Sequence, residues 1–124
     1  MFDFENATFA KMKPVPFAEY EDVVRPVLVE GEEVLHTFRG MRDGAVFTSK
    51  RVISINVQGT SGRKKRLTSL PYRNIQAFSA ETAGGIDLDC EMELWAQGFG
   101  KMKLEFVTRV DMLALCQTIS QYLL

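Results

Sequence analysis

Two groups of charged side chains in this chain could do opposite kinds of binding chemistry. The first is a basic run that could bind an anion through charge: Arg63, Lys64, Lys65 and Arg66. The second is an acidic row at every second position: Asp87, Asp89, Glu91 and Glu93. A basic run in a surface turn often serves only solubility. Three interpretations of the basic run therefore stand, namely a solvated loop, a contact with another subunit or partner protein, and an anion site.

The spacing of the acidic row argues against a metal site. Every second residue of a strand is separated by roughly 6.6 to 6.8 Å, whereas calcium needs six to eight oxygens at about 2.3 to 2.6 Å. We therefore expect a solvated or salt-bridged face. His36, the sole histidine, has no cysteine or carboxylate cluster beside it in sequence to complete a metal set, and we expect a surface or packed side chain. No catalytic residue, metal or cofactor is predicted.

Two aromatic residues are candidate interface anchors, because tyrosine and tryptophan are favoured in such positions. Tyr72, which follows Pro71, is interpreted as an exposed aromatic. Trp95 alternates with the acidic row and so shares its face. That position is unusual for a solvated strand, and it fits either an interface residue or a local cover for the edge of the sheet.

Composition limits the class of protein. The chain has 124 residues, 46% hydrophobic and 25% charged, with a net charge of −1, which suits a single globular domain. A nucleic-acid partner is not expected without a basic excess. No apolar run reaches the ~18 residues of a membrane span, and the N-terminus lacks a signal pattern. We expect a cytoplasmic protein in which Cys90 and Cys116 form no disulfide.

The periodicity predicts a mainly β domain with a helix at its C-terminal end. Residues 1–16 have no sustained period and are interpreted as an N-terminal arm, and 17–30 as a short helix broken at Pro26. Residues 109–124 have an apolar stripe that includes Leu113, and Thr108 with Asp111 resembles a capping box. About seven strands are predicted between the helices: 34–39, 45–48, 52–57, 66–70, 75–80, 86–96 and 101–106.

The final hairpin can be predicted in more detail. Opposed side chains must share a face, so an odd loop is required between the last two strands. A three-residue loop, Gly98 to Gly100, places Leu94 opposite Leu104 and Trp95 opposite Lys103. Strands in this number form two packed antiparallel sheets or a partly open barrel, which the C-terminal helix caps at one end.

Several short motifs together resemble the bacterial pleckstrin-homology (PH)-like family, formerly a domain of unknown function. The resemblance covers roughly residues 23–124. The motifs are Phe47-Thr48, Lys50-Arg51, Gln58-Gly59, Pro71-Tyr72, Glu81-Thr82-Ala83-Gly84 and the alternating strand from Asp87 to Glu93. The chain departs from the family pattern in its more basic loop at residues 63–66 and its longer N-terminal arm.

The resemblance implies a PH-like sandwich or partly open barrel and a cytoplasmic, non-enzymatic function. It also implies a cyclic homo-oligomer, most simply a pentamer, with a hydrophilic surface that binds a partner protein of unknown identity. The alternative is a peripheral module that binds an anionic ligand or membrane surface through residues 63–66. Phosphoinositide binding is not expected, because the first hairpin turn, Gly40 to Gly44, offers only Arg42 beside Asp43.

Overall fold

A computed structural model describes residues 7–58, 63–82, 89–98, 100–107 and 110–124. Its strands are β1 (Ala7–Pro14), β2 (Val34–Arg39), β3 (Asp43–Thr48), β4 (Arg51–Gln58), β5 (Lys64–Pro71), β6 (Ile75–Glu81), β7 (Cys90–Ala96) and β8 (Gly100–Phe106). The α-helices are α1 (Glu21–Val24) and α2 (Met112–Leu123), and short 3-10 turns occupy Phe17–Glu19, Arg25–Val27 and Tyr72–Asn74. None of the helices in these ranges is long and apolar enough to span a bilayer.

The strands form one open sheet in the order β5-β4-β3-β2-β1-β8-β7-β6. All neighbours run antiparallel except β1 and β8, which are parallel. The main core joins residues of both halves of the sheet to one face of α2. This agrees with the expected mainly β architecture and its C-terminal helix. Among the strands that the structure describes, the ends of the sheet do not meet, so β5 and β6 are its two edge strands.

Strand β1 corrects the interpretation of residues 1–16 as an arm, at least over Ala7–Pro14. It lies between β2 and β8 and joins the two halves of the sheet. Phe9 and Met12 are both buried although they are three residues apart, because the pairing with β8 shifts between them. Lys11 lies in this bulge with a φ of 58°. The extra residue breaks the alternation of period two, which is why the sequence showed no strand here.

The segment before β2 covers the outer face of β3 and β4. It is broken as predicted, since α1 ends at Val24 and a 3-10 turn containing Pro26 follows. Its residues Tyr20 and Val24 join a second apolar cluster with Val46, Ile53 and Ile55. The Tyr20 hydroxyl occupies space beside Gly44, where a Cβ would lie only 2.3 Å from it. Glycine at position 44 is therefore required by the tyrosine above it.

A buried ion pair fixes the loop before β2 to the turn between β3 and β4. The side chain of Glu32 has no exposed surface, and its Oε2 accepts from Arg51 Nε at 2.9 Å and from Thr48 Oγ1 at 2.6 Å. Arg51 also donates to the carbonyl of Val27 at 2.6 Å. Burial tends to raise the pKa of Glu32, but the bonds from Arg51 and Thr48 outweigh it and lower that pKa.

The hairpin of β7 and β8 has the predicted odd loop, but the predicted pairing is wrong. Leu94 pairs with Met102, and Trp95 pairs with Lys101. The three-residue connection is 97–99, one residue earlier than expected, because Gly100 already belongs to β8. Each partner therefore shifts by two positions, which keeps every side chain on its predicted face.

Helix α2 starts later than predicted, and its buried stripe also differs from the predicted one. Asp111 is the N-cap, since its side chain accepts from Ala114 N at 3.0 Å. The capping residue proposed from the sequence, Thr108, is outside the described residues. Leu113 is 72% exposed, so its assignment to the buried stripe was wrong. The buried residues of the helix are Met112, Leu115 and Ile119.

The start of β3 contains a charge that is costly to bury. Asp43 lies directly opposite Asn56 of β4, and burial raises the pKa of Asp43 to about 6. The Oδ1 atom of Asn56 is buried and has no hydrogen-bond partner within the described ranges. At neutral pH, an ionised carboxylate therefore lies across the strand pair from an unpaired acceptor.

We expect Asp43→Asn to stabilise the protein by about 1 kcal/mol at pH 7, a value reduced because the site is half-exposed. The folded wild type binds a proton near pH 6, whereas the unfolded chain does so near the ordinary value of 3.8. Wild-type stability from this group therefore falls as the pH rises from 4 to 6. Thermal melts between pH 4.5 and 8 should show a gain from Asp43→Asn that shrinks toward acid. A gain independent of pH would contradict this account.

Candidate interaction surface

Two members of the acidic row, Glu91 and Glu93, lie on the outer face of β7 and are paired with lysines of β8. Glu93 Oε2 is 2.8 Å from Lys101 Nζ. Lys103 Nζ lies 3.4 Å from Glu91 and 3.6 Å from Glu105. Asp89 precedes the strand and is exposed, whereas Asp87 lies outside the described residues. This is the salt-bridged face that the sequence pattern favoured over a metal site.

Lys103 has a particular role in this face, because Glu91 and Glu105 are directly opposite each other in the ladder. Like charges in that arrangement repel. The pKa of Lys103 is raised, mainly by its hydrogen bond to Glu91. Such partly exposed ion pairs contribute little stability each. Their main effect is to neutralise much of the charge that the acidic row could offer to another surface.

Trp95 lies one strand inside the edge of the sheet. Its side chain is on the outer face and 37% exposed. It pairs with Lys101 on one side and with Ala77 of the edge strand β6 on the other. Alanine is too small to cover an indole ring, so a face of Trp95 stays accessible toward the edge. Both interpretations made from the sequence, interface anchor and local cover, remain compatible with this position.

Tyr72 is not an exposed aromatic, so its assignment as an interface anchor was wrong. It is 1% exposed, and its hydroxyl donates to the carbonyl of Thr48 at 2.7 Å. Its ring stacks on Tyr122 of α2 with centroids 6.2 Å apart. The 3-10 turn that follows Pro71 directs the side chain into the core. Burial raises the pKa of Tyr72, which keeps the hydroxyl protonated as a donor.

The basic run lies at one edge of the sheet. Arg63 precedes β5, while Lys64, Lys65 and Arg66 belong to it, so the strand starts earlier than predicted. Arg63, Lys64 and Lys65 are exposed and Arg66 is half-buried. Lysines on an edge strand discourage uncontrolled pairing with other chains. In sheet order the basic run and the acidic row are separated by β4, β3, β2, β1 and β8.

The other edge, β6, has little such protection, and the sequence analysis did not single it out. Its exposed side chains are mostly small or uncharged: Gln76, Ala77, Ser79 and Ala80. Its pairing with β7 shifts between Ile75 and Ala77. Small residues in an edge strand leave its backbone accessible. That composition was the available signal, but only the sheet order identifies β6 as an edge.

The sequence and fold of this chain match a known protein family. The family model described as "Bacterial PH domain" matches residues 3–123. The chain belongs to the bacterial PH domain family. Two relatives in Bacillus subtilis (strain 168) are named as uncharacterized proteins. YjqA is 43% identical over 81 residues, which are 65% of this chain and 65% of YjqA. YozO is 30% identical over 97 residues, covering 78% of this chain and 83% of YozO.

Solved structures of bacterial PH domains have the same fold. One is a DUF1696 family protein with a pleckstrin-homology domain from Shewanella loihica PV-4, with a TM-score of 0.74 at 32% identity, covering 94% of this chain and all of that one. Another, from Shewanella amazonensis SB2B, has a TM-score of 0.63 at 37% identity, covering 89% of this chain and 90% of the other. The family resemblance inferred from the motifs is therefore confirmed, and so is the PH-like fold with an open sheet.

Proposed function

We propose that this bacterial PH domain is a cytoplasmic, non-enzymatic assembly module. In this proposal it forms a cyclic homo-oligomer, most simply a pentamer, and presents a hydrophilic surface to a partner protein. The observation that carries the proposal is the pair of unlike edges on one open sheet. β5 carries the cations Lys64 and Lys65, whereas the exposed side chains of β6 are uncharged except for Glu81 at its end.

Unlike edges suit a ring because a cyclic assembly larger than a dimer needs a head-to-tail interface, in which two different surfaces meet. Pairing β5 of one subunit with β6 of the next would supply backbone hydrogen bonds along strands of eight and seven residues. The partly exposed Trp95 lies beside β6, where it could add apolar contact. Closure of the ring would cover both edges and so remove an aggregation hazard.

The surroundings of His36 support a non-enzymatic function. His36 Nε2 lies 3.0 Å from Thr118 Oγ1, and that hydroxyl donates to the carbonyl of Ala114. The imidazole packs against the rings of Phe38 and Phe47. Burial lowers its pKa, which favours a neutral, packed histidine. Across the residues that the structure describes, no group of three His, Cys, Asp or Glu side chains could hold a metal ion.

We expect the wild type to be a ring by multi-angle light scattering, and Ala77→Lys to be a monomer. A lysine on β6 would carry charge into the edge that the neighbouring subunit has to approach. Because Ala77 is exposed, the melting temperature should change little. Ala77→Ser, which keeps the site small and uncharged, is the matched control. Intact rings of Ala77→Lys would exclude β6 from the interface, and a monomeric wild type would refute the ring itself.

The alternative function is a peripheral module that binds an anionic ligand or membrane surface through the basic run. It is favoured by the exposure of Lys64 and Lys65. We nevertheless expect negligible binding to phosphoinositide vesicles at physiological salt, since the salt-bridged face of β7 and β8 retains carboxylates and the first hairpin turn lacks a basic pair. Vesicle sedimentation tests this. Micromolar, headgroup-specific binding that is lost in Lys64→Glu/Lys65→Glu would establish the alternative instead.

A further inference from the structure

A concave surface lies over the middle of the sheet, away from both edge strands. We name it the basic pocket. It has a volume of about 440 Å³. β1, the end of β2 and its following turn, and the residue after β8 line it. Its walls are Lys11, Lys13, Val15, Glu19, Arg39, Gly40, Met41 and Val107.

The basic pocket holds positive charges close together, and their repulsion destabilises the fold. Lys13 of β1 lies directly opposite Arg39 of β2 in the ladder, and like charges in opposed positions repel. Glu19 offsets one charge, since its Oε1 lies 2.5 Å from Arg39 Nη1. Lys11 adds a third cation. Three cations against one carboxylate leave an excess of positive charge in a concave site.

The bulge in β1 determines the position of Lys11. Regular alternation from the buried Phe9 would direct residue 11 into the core. The left-handed backbone of Lys11, with a φ of 58°, instead leaves its side chain exposed at the pocket while Met12 enters the core. A non-glycine residue in this region is strained, and bulges commonly redirect a side chain. The strained backbone therefore places the charge of Lys11 at the wall of the basic pocket.

One wall of the basic pocket is apolar and exposed. Met41 is 83% exposed and Val107 is 43% exposed. Both lie beside the cations without being part of either apolar cluster. A ligand that fits this surface therefore combines anionic groups with an adjacent apolar group.

We propose that the basic pocket binds an acidic segment of a partner protein, with its carboxylates paired to Lys11 and Lys13 and an apolar side chain against Met41 and Val107. The inference names the partner class for the partner-binding part of the proposed function, on which it rests, and it does not require the ring.

The surroundings favour a short protein segment over an anionic membrane. Lys11 and Val107 also line the adjoining pocket of about 330 Å³, whose other walls include Glu81, Asp89, Glu91 and Glu105. An extended anionic bilayer that approached the basic pocket would also approach these four carboxylates, which outnumber Lys103, the lysine that pairs with Glu91 and Glu105. A peptide of a few residues can contact Lys11 and Lys13 without facing these four carboxylates. Charge complementarity of this local kind sets specificity and orientation.

The test uses a fluorescein-labelled peptide with five Asp and Glu residues around one leucine, and a matched peptide with Asn and Gln in their place. Fluorescence anisotropy should show that the acidic peptide binds and the amide peptide does not, with binding that weakens as salt rises. Lys11→Glu/Lys13→Glu should weaken binding at least about tenfold. Lys64→Glu/Lys65→Glu, which changes the net charge equally, should stay within about threefold of wild type. Lys11→Gln/Lys13→Gln repeats the test without introducing negative charge.

The apolar wall has its own test. Met41→Ser should weaken binding of the leucine peptide about threefold and leave a serine-substituted peptide unaffected, because only the former loses an apolar contact. Three results would each overturn the proposal: equal binding of the amide peptide, an equal loss of peptide affinity in the two charge-reversal double variants, or tighter binding to phosphatidylserine vesicles than to the acidic peptide.

Light scattering on the same samples separates this inference from the proposed ring. Rings that fail to bind the peptide refute this inference alone, whereas a monomer that binds it supports the inference and refutes the ring.

Discussion

Leu115→Asp should abolish cooperative folding, or destabilise the protein by at least about 4 kcal/mol, because it places an unpaired carboxylate in the main core. Leu115 has no exposed surface and packs within the cluster between α2 and the sheet. The measurement is chemical denaturation followed by circular dichroism and by the fluorescence of Trp95.

The same helix supplies the matched control. Leu113→Asp introduces the same group two residues earlier, where the side chain is 72% exposed. We expect a change within about 0.5 kcal/mol, as for ordinary surface substitutions. Comparable loss in both variants would mean that α2 is rotated relative to the position described. A cooperative and unchanged melt of Leu115→Asp would mean that α2 does not cap the core.

Arg51→Ala should destabilise the protein by about 3 kcal/mol at pH 7, because it leaves the carboxylate of Glu32 buried without its principal partner. The arginine side chain is only 19% exposed, and it also bonds to Ser69 Oγ at 3.0 Å. Urea denaturation measures the loss. Lys101→Ala is the control, because its ion pair with Glu93 is partly exposed and we expect a loss below about 1 kcal/mol.

The dependence of this loss on pH gives a second criterion. The folded-state pKa of Glu32 lies below the ordinary value of 4.5. The ion pair therefore stabilises the fold fully above pH 4.5, and the contribution is lost as the pH falls through the lowered folded-state pKa. The difference between Arg51→Ala and wild type should narrow in that acid range. A difference that stays constant down to pH 3 would show that Arg51 acts through packing of its stem and not through the carboxylate.

The sequence predicted those parts of the fold whose side chains alternate or repeat without interruption. β7 and β8 were found with every side chain on the correct face, because alternation survives an error of two positions in register. The break at Pro26 was found because proline lacks an amide hydrogen and cannot continue the helical ladder. The family was recognised from motifs spread over β3 to β7. Two of them, Phe47-Thr48 and Pro71-Tyr72, lie at the ends of β3 and β5.

The errors also have identifiable causes. β1 was missed because the bulge at Lys11 interrupts the period, and the pairing of Lys13 with Arg39 could not be foreseen without that strand. The burial of Tyr72 depends on one 3-10 turn, which periodicity does not reveal. Apolar residues surround much of α2, so the sequence did not determine which of them face the sheet, and Leu113 lies on the exposed side. The charged clusters were identified from the sequence, but which side chains they pair with depends on the order of the strands in the sheet.

The position of β1 has a consequence for how the chain reaches this structure during synthesis. β1 comes from the start of the chain, yet it is inserted in the middle of the sheet and pairs in parallel with β8, the last strand. An emerging polypeptide can form β2 to β5 by local hairpins, but β1 cannot pair with β8 until residues 100–106 have left the ribosome. Contacts between such distant segments slow folding. We expect joining of the two halves of the sheet to be the late, rate-limiting event, which leaves one side of β1 unpaired until β8 has been synthesised.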